Sequence, residues 1–97
     1  MNSGLYDVGK IEYVRLGFDP DLHCFRAIIS FDFGGSGQGI VMILSQKNCY
    51  SFLTGVVQVA GVPWEKLEGT HLGVVRDEPY GMITEIQSQD GSRVFRW

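Results

Sequence analysis

Apolar residues change their spacing twice along this chain, and those changes divide it into elements. Through "IEYVRLGF", residues 11–18, β-branched and aromatic side chains dominate. "DPDLH" follows with Asp, Pro and Asp, which pre-set φ or bond their own backbone, so a strand runs into a turn. In "HCFRAIISFDF" the odd positions Phe25, Ala27, Ile29, Phe31 and Phe33 are apolar, while Arg26, Ser30 and Asp32 fall on the other side. A period of two predicts a strand with one buried face. "IVMIL", residues 40–44, is a continuous apolar run, which suits a strand buried on both faces or pairing in the sheet centre.

From Asn48 the period lengthens. Cys49, Phe52, Leu53, Val56, Val57 and Ala60 follow the spacing of an amphipathic helix. Asn48, or Ser45 upstream, is placed to cap it by accepting a bond from an orphan N–H, and Gly61 before Val62 and Pro63 stops it. Gly55 inside the helix costs about 1 kcal/mol relative to Ala, which predicts close approach of helix and sheet. "PWEKLEG" predicts one further helical turn, begun by Pro63 and ended at Gly69. The remainder returns to β in "THLGVVRD", "MITEIQSQ" and "SRVFRW", with turns at "EPYG" and Asp90–Gly91.

The order β-β-β-α-β-β-β predicts an α+β domain, a mainly antiparallel sheet of five to six strands with one principal helix packed on one face. The stripe Phe52, Leu53, Val56, Val57 is expected to lie across Phe25, Ile29 and Phe31. One helix leaves part of such a sheet uncovered, which favours a homodimer or a partner surface. At 97 residues the chain is expected to be a single domain over 1–97, with 1–9 a flexible N-terminal segment.

Composition narrows the function classes. With 44% hydrophobic and 20% charged residues the chain is of the globular type. Eight basic against eleven acidic side chains give a net charge of -3, which supplies no attraction for phosphate backbones, so non-specific nucleic-acid binding is not expected. The longest apolar run, Ile40 to Leu44, is far short of a membrane span, and "MNSGLYDVGK" lacks the apolar core of a signal peptide. A cytoplasmic location without membrane association is expected. Cys24 and Cys49 lie far apart, as do His23 and His71, so no local zinc spacing exists. Two buried thiols, no metal and no cofactor are expected.

Three groups of residues carry candidate chemistry. Gly34, Gly35, Ser36, Gly37, Gln38 and Gly39 could form a nest of backbone N–H groups for a small anion, or simply turn a hairpin. Phosphate loops normally feed a helix N-terminus, and this one feeds a strand. Arg76, with Asp77, Glu78 and Tyr80, could line a pocket for phosphate or carboxylate, or form a solvated turn. Phe95, Arg96 and Trp97 close the last strand as a packed edge or an interface. For catalysis His23 and Cys24 are neighbours in a strand and point to opposite faces, and Cys49 belongs to the helix stripe, so no catalytic constellation forms and an enzyme is not expected.

The motif order also resembles a family of small, largely uncharacterised proteins of tailed bacteriophages. That family's core is Gly-Gln-Gly-Phe-Gly-Gly-Tyr, then a helix, Trp-Glu-x-Leu-x-Gly, a Val-x-Arg strand and Ile-Gly-His-Ile. Gly37, Gln38 and Gly39 match the first motif, and Trp64, Glu65, Leu67, Gly69, Val75 and Arg76 match the middle. Ile40 to Ile43 replace Phe-Gly-Gly-Tyr, and Ser88 stands at the late His position. The resemblance implies a phage-type protein of the host-cell cytoplasm. Together these readings predict a non-catalytic binding protein that antagonises a host process such as antiviral immunity, by sequestering a small anionic nucleotide-like ligand or masking a host protein. The alternatives are an assembly accessory working through protein contacts and a small enzyme with an unrecognised site.

Overall fold

The computed structural model describes residues 6–78 and 81–97. Six strands, β1 (Tyr6–Asp19), β2 (Cys24–Asp32), β3 (Gly37–Leu44), β4 (His71–Arg76), β5 (Ile83–Gln87) and β6 (Val94–Arg96), form one sheet in the order β3-β2-β1-β4-β5-β6. Every neighbouring pair is antiparallel. Helix α1 (Cys49–Ala60) and a 3-10 turn at Trp64–Lys66 join β3 to β4. The predicted α+β order is therefore the observed one.

β1 organises the sheet because its two halves have different partners. Tyr6 to Lys10 pair with Val75 to His71 of β4, whereas Lys10 to Asp19 pair with Asp32 to Cys24 of β2. A bulge between Ile11 and Tyr13 marks the change. Two three-stranded meanders, β1-β2-β3 and β4-β5-β6, are thus joined along the first part of β1, and the β1–β2 hairpin runs past the rest. The expectation of a flexible stretch over 1–9 is corrected for 6–9, which pair with β4 in regular register; residues 1–5 lie outside the described residues.

One face of the sheet carries the core. Ile11, Ala27, Ile29, Phe31, Ile40, Leu44, Leu72, Val74, Ile83 and Ile86 are buried there with Phe52, Val56 and Val59 of α1 and Leu67. The helix stripe is rotated from the predicted one: its buried residues are Phe52, Gly55, Val56 and Val59, and Leu53 and Val57 are only partly covered. The cause is position. The helix backbone lies nearest β5 and β6, and a Cβ at Gly55 would stand 2.5 Å from the Phe95 ring, so this glycine lets α1 settle on β6. Ile29 and Phe31 are buried as expected, but Phe25 is exposed because the hairpin end lies beyond the helix.

Three local readings are also revised. β3 is an edge strand, not a central one: its Ile40 and Leu44 are buried while Val41 and Ile43 stand in solvent, so a continuous apolar run here covers only one face. Asn48 precedes α1 without a side-chain cap. Its amide donates to the Ile43 carbonyl at 3.0 Å and its Oδ1 accepts from the Ser45 N–H at 2.7 Å, binding the helix start to the end of β3. His23 lies in the turn before β2, not in a strand, at φ 53°. Gly61 ends α1 as predicted, at φ 74° with its N–H on the Val57 carbonyl. Both cysteines are free and half-buried, not fully buried.

Candidate functional site

The glycine segment divides in two. Gly34 to Ser36 make a turn, while Gly37, Gln38 and Gly39 already belong to β3. The Asp32 carboxylate accepts the Gly34 N–H at 2.9 Å, and the Phe33 N–H donates to the Ser36 carbonyl at 2.9 Å. Gly34 at φ 88° and Gly35 at φ 151° hold backbone angles that side chains disfavour, which is the hairpin use of glycine. The shallow cleft of about 330 Å³ beside the turn is lined by Glu12, Asp32, Gly35, Ser36 and Gly37. Among the described residues two carboxylates and no cation line it, so an anion entering would meet repulsion. An N–H that a nest would offer to a ligand is here bonded to Asp32.

Gln38 and Arg76, both expected to hold a ligand, are brought together but hold each other. Arg76 Nε donates to Gln38 Oε1 at 2.6 Å, and Gln38 Nε2 donates to the Gly81 carbonyl at 2.7 Å. The Arg76 guanidinium lies over the Phe33 ring at 4.7 Å and 3.8 Å from the Asp7 carboxylate. Its side chain is only 12% exposed. Charge-assisted bonds and a cation–π contact in a half-dry site fix the guanidinium. It therefore ties the start of β1, the residue after β2, the start of β3 and the end of β4 to the β4–β5 connection. Asp77 and Glu78 are exposed beside it. Gly81 donates to the Glu78 carbonyl at 2.7 Å, and the intervening Pro79 and Tyr80 lie outside the described residues.

The C-terminal aromatic residues pack within the chain. Phe52, Phe95 and Trp97 form a mutual cluster with ring centroids 5.7 to 5.9 Å apart. Arg96 points to the other face and pairs with Glu85 at 2.8 Å. The Gln87 amide, and then Arg96, hold the Glu85 carboxyl below its ordinary range against the opposing effect of burial.

A second cleft, of about 350 Å³, brings together residues whose combination the sequence order hides: His71, Ser88, Asp90 and Arg93. Their types suggest hydrolytic chemistry, but their bonds do not. The buried Ser88 hydroxyl donates to Asp90 at 2.7 Å and accepts the Arg93 N–H at 3.0 Å, and none of its bonds reaches His71. Asp90 also accepts the Ser92 N–H and hydroxyl, and these donors lower its pKa to about 2. The group is the turn between β5 and β6.

The feature that sequence reasoning missed lies at the far end of the β1–β2 hairpin. Leu16, Phe18, Leu22 and Phe25 are 48%, 53%, 59% and 56% exposed. Phe18 and Phe25 meet edge to face, with centroids 5.4 Å apart at 67°. Leu16 and Phe18 stand opposite Ala27 and Phe25, so the cluster continues the core face past the end of α1. The turn is fixed by Asp19, which accepts the N–H groups of Asp21 and Leu22 and pairs with Arg26 at 3.2 Å. A signal existed: Leu16 and Phe18 continue an alternation that has no helix residues left to meet, and Leu22 is apolar inside a turn.

No helix among the described residues is long and apolar enough to cross a membrane. Comparison of the chain with protein-family models, with curated proteins and with solved structures gives no match.

Proposed function

We propose that this protein is a small non-catalytic binding protein that masks a protein surface with the apolar end of its β1–β2 hairpin. The observation that carries this reading is the cluster Leu16, Phe18, Leu22 and Phe25, left outside the core beside a turn that Asp19 closes. Aromatic residues presented on a braced element are the usual centres of protein recognition. The resemblance to tailed-phage proteins carried by Gly37–Gly39 and Trp64–Arg76 suggests the setting we propose: the host cytoplasm, with a host protein as target and antagonism of a host process as outcome. The anion-sequestering reading is the weaker one, because Glu12 and Asp32 flank the glycine turn and Arg76 is engaged by Gln38.

A photo-crosslinking residue in place of Phe18, expressed in the host, tests the proposal. One defined host protein should be captured, and capture should be lost on adding Phe25→Ser. The same crosslinker at Val94 should capture nothing. A thermal shift with inorganic phosphate or a cyclic nucleotide corresponding to about 2.7 kcal/mol at a hundredfold excess over Kd, combined with no capture, would overturn it in favour of anion binding. Capture of a phage structural protein instead would make the chain an assembly accessory.

A further inference from the structure

We infer that β3 is a dimerisation strand, pairing antiparallel with β3 of a second copy so that two sheets become one.

The ladder shows which backbone groups are open. The Phe33 to Ser36 bond and the unbroken register from Asp32↔Gly37 to Phe25↔Leu44 direct the N–H and C=O groups of the even β3 residues toward β2. Those of Gly37, Gly39, Val41 and Ile43 consequently point outward. The assignment has an independent check: the Ile43 carbonyl accepts the Asn48 side chain, which lies outside the sheet. From Gly37 to Val41 no strand among the described residues pairs with this edge.

Sheet edges are normally blunted by charge, proline, bulges or shortness. The other open edges follow that rule. β6 is three residues long and bears Arg96, and the free half of β1 carries Arg15 and Asp19 beyond a bulge. β3 has none of these devices. It runs for eight residues, "GQGIVMIL", without charge, proline or register shift. A second copy thus meets no like charge along it, although each chain carries a net charge of -3.

The strand is also self-complementary in shape. On the open face its side chains are Gly37, Gly39, Val41 and Ile43, two absent and then two branched, with Val41 and Ile43 57% and 56% exposed. Antiparallel pairing about a two-fold axis at Ile40 sets Gly39 opposite the second copy's Val41, where the backbone bonds form, and Gly37 opposite its Ile43, whose carbonyl already accepts Asn48. Each bulky half then lies over the other copy's bare half. A strand with both halves bulky, or a generic peptide, would not gain this fit. The interface is isologous and closes at two copies. It uses none of Leu16, Phe18, Leu22 or Phe25, so it stands apart from the proposed masking surface.

Light scattering after gel filtration, at about 50 μM protein, tests the inference. Wild type should have twice the 10.8 kDa chain mass. Val41→Pro, which removes an outward N–H at an edge position where proline is tolerated, and Val41→Lys should both give the single-chain mass with unchanged circular dichroism. Val94→Lys should remain dimeric. A wild-type mass of one chain, or a dimer that survives both Val41 changes, overturns the inference. If Val41→Pro fails to fold, hydrogen exchange on wild type decides: the Gly39 and Val41 amides should exchange at least about tenfold more slowly in concentrated than in dilute protein. Equal rates overturn it.

Discussion

The two ends of this sheet are built from similar residues and meet different fates. At the β5–β6 end, Phe52, Phe95 and Trp97 interlock beneath α1, and the polar groups of the last turn are joined as Ser88–Asp90–Ser92. At the β1–β2 hairpin end, Phe18 and Phe25 also meet edge to face, but no element among the described residues covers them. The same aromatic chemistry joins the core at one end and is left in solvent at the other. What separates them is where a twelve-residue helix comes to rest. Gly55 decides that, by admitting the Phe95 ring against the helix backbone.

The sharpest way to break this contrast is to make one substitution at both ends. Phe52→Ala should cost about 3–5 kcal/mol of unfolding free energy, because it removes a buried ring and leaves a cavity, whereas Phe25→Ala should cost less than about 1 kcal/mol. Urea denaturation of the two variants measures this, and similar losses would mean that the hairpin cluster belongs to the core. A smaller effect is expected at the helix. Gly55→Ala gains about 1 kcal/mol of helix propensity but drives a methyl into Phe95, and overpacking typically costs about 1–3 kcal/mol. A net loss in urea midpoint is expected. A gain would show that α1 is not pinned by this contact.

The smallest effect lies in the turn at the covered end. Asp90 has its pKa lowered to about 2 by the Ser92 and Ser88 donors, from near 3.9 when unfolded. A depressed folded pKa adds stability that is present above about pH 4 and is lost as the pH falls through about 2. Asp90→Asn should therefore be less stable than wild type at pH 5, with the difference closing by about pH 2. A difference that is constant across this range would show that the bonds to Ser88 and Ser92 do not depend on the carboxylate charge.

Element type was readable wherever a period was long enough to be unambiguous. The alternation over residues 25–33 gave β2, and the 3.6-residue spacing from Cys49 gave α1. Side-chain placement within those elements was less readable. Cys49, Leu53 and Val57 share the helical period with Phe52 and Val56, but only a view of β6 shows that Gly55 and Val59 take the buried line instead. "IVMIL" looks the same at the centre of a sheet as at its edge, because five apolar residues do not disclose whether the second face is covered. The candidate site suffered likewise. Gln38 and Arg76 have the right chemistry for an anion, and nothing in their separation along the chain indicates that they satisfy each other.

By itself, the sequence determined the order of strands and helix, the turns after β1 and β5 and the residues able to form a core, since these follow from local periodicity and from backbone angles that few residues tolerate. Tertiary structure alone decided which apolar positions remain in water. Burial depends on what the split pairing of β1 and the resting place of α1 set opposite each side chain, and those neighbours come from distant parts of the chain. The open edge of β3 and the bare hairpin aromatic pair are both products of that placement.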